Sequence, residues 1–72
     1  MEVIKNTSET KFKDLDIGNV FQLRTDDASL YYMKILATEK GENAVEIDWG
    51  YLVKIYDEAE VTVYHNAKLI LN

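Results

Sequence analysis

Ala44-Val45-Glu46-Ile47-Asp48-Trp49-Gly50-Tyr51-Leu52-Val53-Lys54-Ile55-Tyr56 holds the most regular alternation of apolar and polar residues in the chain. A period of two is that of a pleated strand, whose successive side chains point to opposite faces. In the first half, Val45, Ile47 and Trp49 are expected inward, with Glu46 and Asp48 outward. Gly50 interrupts the pattern, and Tyr51, Val53 and Ile55 resume it along one side of a second strand.

The same period extends in both directions. Residues 20–24 place Phe21 and Leu23 on one face. Residues 30–36 place Tyr31, Met33 and Ile35 on one face and Tyr32, Lys34 and Leu36 on the other. Residues 60–64 turn Val61 and Val63 inward, and 68–71 make a sixth short apolar segment. The connections at 25–29, 39–43, 57–59 and 65–67 are polar or turn-forming and short enough to join antiparallel neighbours. Only residues 34–40 admit a helical reading, and the aromatic and β-branched residues upstream oppose extending it. These runs predict an all-β fold: a small antiparallel five- to six-stranded SH3-like barrel or bent sheet. Leu15 and Ile17 would plug one end, and Gly18 would turn the chain into the first long strand. The whole chain, 1–72, reads as a single β domain, with 1–11 as a flexible arm or an edge strand.

A chain of 72 residues, 47% of them hydrophobic, suffices for one small core. It has no cysteine and a single histidine, His65, so neither disulfides nor a Cys/His metal site supports the fold. No signal-like apolar run opens the sequence, and none approaches the length needed to span a bilayer. The expected location is therefore a cytoplasm. The formal net charge of −5 attracts cationic partners and repels nucleic acid and anionic membranes. The first 38 residues carry 6 acids and 5 bases and the last 34 carry 7 and 3, which places most of the field in the second half.

Catalysis is not expected. A hydrolytic triad needs a nucleophile, a base and an orienting group. The serines, Ser8 and Ser29, lie in polar segments, and His65 beside Asn66 reads as a turn residue. No calcium loop or glycine-rich phosphate cradle is present. Thirteen acids include many carboxylate pairs, but so short a chain cannot wall a sugar-binding cleft around one. No cofactor or metal is implied.

The acids themselves are the candidate site. Glu46 and Asp48, two apart on an extended strand, would have Cα atoms roughly 6.5 to 6.8 Å apart, close to the phosphate spacing along a DNA strand. Asp57, Glu58 and Glu60 follow in the next connection, Glu39 and Glu42 precede, and Asp26 and Asp27 add a further cluster. If these converge, they form a row of negative charge able to occupy the basic groove of a nucleic-acid-binding protein. Otherwise they are a solubilising surface, interrupted by Lys40, Lys54 and Lys68. Tyr32, Tyr56 and Tyr64, placed opposite the core by the pattern, are either interface residues or cross-strand packing partners.

The order Phe12, Asp14-Leu15, Gly18, Phe21, Tyr32-Met33-Lys34, Asn43-Ala44-Val45, Gly50 and Val61 resembles a pattern of small phage proteins. In size, charge and β content the chain is also similar to the phage inhibitor of the bacterial histone-like protein HU, a dimeric DNA mimic. The resemblance implies a host-takeover protein acting in the host bacterial cytoplasm, with a basic HU-like protein as partner and a homodimer as the active form. Two alternatives accompany it. One is an SH3-like adaptor that inhibits another host factor, such as RNA polymerase, through its aromatic surface, in which truncating Tyr56 or Tyr64 matters more than neutralising acids. The other is a minor structural or assembly component of the virion.

Overall fold

The computed structural model describes residues 7–24 and 30–65. Its strands are β1 (Thr7–Lys11), β2 (Val20–Leu23), β3 (Tyr32–Lys34), β4 (Ala44–Glu46), β5 (Leu52–Val53) and β6 (Glu60–Tyr64). They form one antiparallel sheet in the spatial order β1-β6-β2-β3-β4-β5. Strands β2 to β5 run as a meander. β6 then returns to the far side of β2, as in a Greek key, and β1 covers the outside of β6.

The all-β expectation holds, and the sheet is open rather than closed into a barrel. Closure would require pairing β5 with β1, but β5 is only two residues long. Beyond it the chain is held differently. The Asn43 amide donates to Ile55 O at 2.9 Å, and its Oδ1 accepts from Ile55 N at 2.8 Å, so one side chain stands in for a ladder partner. The chain leaving β1 enters a 3-10 turn, Phe12–Asp14, tied to the β5–β6 connection by Phe12 N to Ala59 O and Lys13 N to Asp57 O. The expected strand at 68–71 lies outside the described residues, and the sixth strand here is β1. Residues 34–40 form no helix.

One face of the sheet holds the core: Phe12, Leu15, Phe21, Tyr32, Ala44, Ile55, Val61 and Val63. Phe21 is its centre, meeting Phe12 edge-on at 5.4 Å and stacking on Tyr32 at 5.5 Å. Lys34 shares that face, its ammonium 4.7 Å from the Phe12 ring centroid and bonded to the carbonyls of Leu15 at 2.7 Å and Phe12 at 3.2 Å. The lysine thereby locks the 3-10 turn onto the sheet. Leu15 is buried as expected, but Ile17 is exposed and plugs nothing.

β4 reverses its expected facing. Register pairs Tyr32 with Glu46 and Lys34 with Ala44, so Ala44 and Glu46 point inward and Val45 outward. A one-residue shift in facing exchanges every side chain between faces. Here the aromatic stack fills the space over β4 and leaves room for an alanine. Glu46, 4% exposed, folds its carboxylate onto the following turn. Tyr32, likewise expected outward, is buried. The outer face carries a second apolar row of directly opposed residues: Tyr64, Val20, Met33, Val45 and Leu52. The row begins on β6, one strand in from the β1 edge, and ends at the β5 edge.

Candidate interaction surface

The turn between β4 and β5 is organised by Glu46. Its Oε1 accepts from Asp48 N at 3.0 Å, its Oε2 from Trp49 N at 2.8 Å, and its carbonyl from Gly50 N at 2.8 Å. Glu46 N in turn donates to Tyr51 O at 2.8 Å. Gly50, at φ +75°, supplies the left-handed step that closes the turn. With the backbone donors satisfied from inside, the side chains of Trp49 and Tyr51 are directed out, and Trp49 is 74% exposed where the alternation placed it inward.

Trp49, Tyr51, Leu52 and Tyr56 fall within eight consecutive residues and are all exposed, Tyr56 at 84%. Among the described residues the other large exposed hydrophobics are Ile17, Tyr31 and Leu36, scattered over three separate segments. Single exposed apolar residues are ordinary, but here Tyr51 and Leu52 border the β5 edge from its two faces, with Trp49 before them and Tyr56 after them along the chain. Beside this rim lies an apolar cleft of about 240 Å³ lined by Leu23, Lys54, Ile55, Tyr56 and Ala59. Tyr64 takes a different part: half-buried on the outer face, it meets Tyr31 edge-on at 5.5 Å and donates its hydroxyl to Gln22 Oε1. Burial, with Tyr31 adjacent, pushes its phenol above the ordinary value.

Of the acids expected in a row, one leaves the surface and others are paired with bases. Glu46 is turned inward. Glu58 bridges Lys11 at 2.7 Å and Lys13 at 2.9 Å, and these hydrogen-bonded ammonium groups lower its carboxyl from 4.5 to about 2. The same contact raises Lys13. Glu60 shares Arg24 with Glu9, at 3.4 and 3.7 Å. Glu42 accepts the Thr38 hydroxyl at 3.0 Å. Asp48 and Asp57 are exposed and, with Glu39, make no ion pair among the described residues. Glu39 and Glu42 precede β4 while Asp48 follows it, so they occupy opposite ends of that strand. Asp26 and Asp27 lie outside the described residues.

Ser8 and His65, far apart in sequence, do meet: His65 Nε2 lies 2.7 Å from Ser8 Oγ, joining the ends of β1 and β6. They line a cleft of about 370 Å³ with Thr10, Asp14 and Asp16. Asp14 accepts from Thr10 at 3.4 Å, and no carboxylate among the described residues hydrogen-bonds the imidazole. Among the described residues, then, nothing orients the imidazole as the third member of a triad would. No group of acids and His that could hold a metal ion occurs among the described residues, and no described helix is long and apolar enough to cross a membrane.

No family model, curated protein or solved structure matches the chain. The alternation places Tyr56 outward, where it lies, and hides Trp49, which it assigns to the core. The signal that reveals it is the acidic residue three positions ahead of Trp49, a spacing that lets a side chain cap the turn's own N–H groups.

Proposed function

We propose that this chain is a non-enzymatic protein-binding domain whose recognition surface is the rim formed by Trp49, Tyr51, Leu52 and Tyr56. The observation that supports the reading is their concentration around one sheet edge beside an apolar cleft. Large aromatic side chains bury much area for few frozen torsions and dominate the energetics of interfaces. The net charge of −5 steers cationic partners toward the molecule and contributes more to association rate than to the stability of the docked state. Following the resemblance to small phage proteins, the partner is a bacterial host protein. The test is capture from bacterial lysate by the wild-type chain, Trp49→Ala, Tyr56→Ala and the double variant Asp48→Asn/Asp57→Asn, washed at low and high salt. A partner kept at high salt and lost with either aromatic supports the reading.

A second reading, DNA mimicry toward an HU-like protein, draws support from the same net charge and from Asp48, Asp57 and Glu39, which make no ion pair among the described residues. It predicts the opposite pattern: release by salt and by neutralising the aspartates, and indifference to Trp49→Ala.

A further inference from the structure

The two edges of the sheet are built differently. β1, Thr7–Lys11, carries Ser8, Glu9, Thr10 and Lys11, the polar and charged side chains that discourage further strand pairing. β5 carries Leu52 and Val53 and is flanked by Tyr51 and Lys54. Tyr51 O and Val53 O are directed at β4, where they accept from Glu46 N and Asn43 N. Backbone groups alternate in direction along a strand, so the N–H and C=O of Leu52 and Lys54 face away from the sheet.

Lysine on an edge strand is a common guard against pairing. Lys54 does not serve that purpose. Its Cε and Nζ lie 3.0 and 3.2 Å from the position a Cβ would take on Gly41, so the side chain is laid back over the β3–β4 connection. Gly41, at φ +85°, has both the conformation and the missing side chain that permit this. Around the unguarded edge, the outer-face row Tyr64, Val20, Met33, Val45 and Leu52 stops at Leu52, 46% exposed, with no strand beyond β5 among the described residues to continue it. Asp48 and Asp57 stand at either end of this segment, both exposed and without an ion pair among the described residues.

From these placements we infer that the β5 edge accepts an extended segment of a partner protein as an added antiparallel or parallel strand. That segment carries an apolar residue beside Leu52 and a basic residue near each end. Backbone hydrogen bonds to Leu52 and Lys54 hold it, and Leu52 with Trp49 and Tyr51 selects its side chains. The aspartates supply the charge complementarity that favours a cation-flanked strand over a second copy of this acidic chain. The inference rests on the protein-binding reading above and specifies its mode.

The test uses the full ¹⁵N-labelled chain and a synthetic peptide of alternating valine and threonine with lysine at each end, read by amide hydrogen exchange. Addition of the peptide is expected to slow exchange at Leu52 and Lys54 by about tenfold or more and to leave Val53 unchanged, its amide already facing β4. The same peptide N-methylated at alternate residues is expected to give no protection, and a version with glutamate for lysine to bind about tenfold more weakly. Unprotected Leu52 and Lys54 at saturating peptide, or equal protection by the N-methylated form, would overturn strand addition. Protection that rises with protein concentration in the absence of peptide would assign the edge to a second copy and overturn it as well. The lysate capture separates the two levels. Aromatic-dependent capture with no edge protection discards the mode alone, while aromatic-independent capture discards the binding surface.

Discussion

Single side chains do work in this molecule that a longer domain would give to whole strands. Asn43 replaces a ladder partner for Ile55, so Asn43→Ala strips a buried residue of both backbone bonds and is expected to cost about 1–3 kcal/mol. Urea unfolding would measure it, and a loss below about 0.5 kcal/mol would mean that water replaces the amide freely. Glu46→Gln keeps one acceptor oxygen for the turn where Glu46 has two, and Glu46→Ala keeps none. The alanine variant is expected to lose about 1–3 kcal/mol and the glutamine variant an intermediate amount. Glu58 governs the acid response. It ionises near 4.5 when unfolded and near 2 when folded, so its ion pairs stabilise the fold above the unfolded value. That contribution fades as pH falls from 4.5 toward 2. Being exposed, it is also screened by salt. Glu58→Gln should flatten the dependence of the urea midpoint on pH within that window, and an unchanged slope would contradict the assignment.

Among the elements, the β4–β5 hairpin carries both the structural and the functional argument. A Cβ at Gly50 meets nothing, so Gly50→Ala isolates the cost of a positive φ, about 1 kcal/mol, without a clash. Thermal unfolding of the variant checks this, and Tyr51 and Leu52 should shift with it because the turn sets their direction. This hairpin also marks where the sequence was legible. The runs at residues 20–24 and 60–64 are legible, because Phe21, Leu23, Val61 and Val63 obey a simple apolar-in rule against one core. In β4 that rule failed. Alternation assigns Val45, Ile47 and Trp49 to the core face, yet Phe21 and Tyr32 occupy the core and the turn buries the Glu46 carboxylate. Alternation reports that a strand has two unlike faces and does not say which is inside when both are apolar. β1 gave no apolar signal, since Ser8 and Thr10 face the core side at an edge. The ion pairs of Glu58 and Glu60 join residues more than thirty positions apart, beyond any local pattern.

At the scale of the whole molecule, charge is spread over the chain while four exposed large apolar side chains gather in one stretch of it. The net charge of −5 is distributed: several acids are paired with lysine or arginine, one is buried, and Glu39 and Asp48 lie at opposite ends of β4. The apolar rim is concentrated at one edge of an open sheet. The account predicts that partner affinity follows the rim, so neutralising Asp48 and Asp57 should mildly slow association and lower its salt dependence, while removing Trp49 should speed dissociation. The most direct measurement is capture from bacterial lysate by wild-type and Trp49→Ala protein side by side, with a high-salt wash. The account predicts a partner that survives the wash on the wild-type chain and is absent from the variant. A partner eluted by salt from both alike would contradict it and favour recognition by the carboxylates.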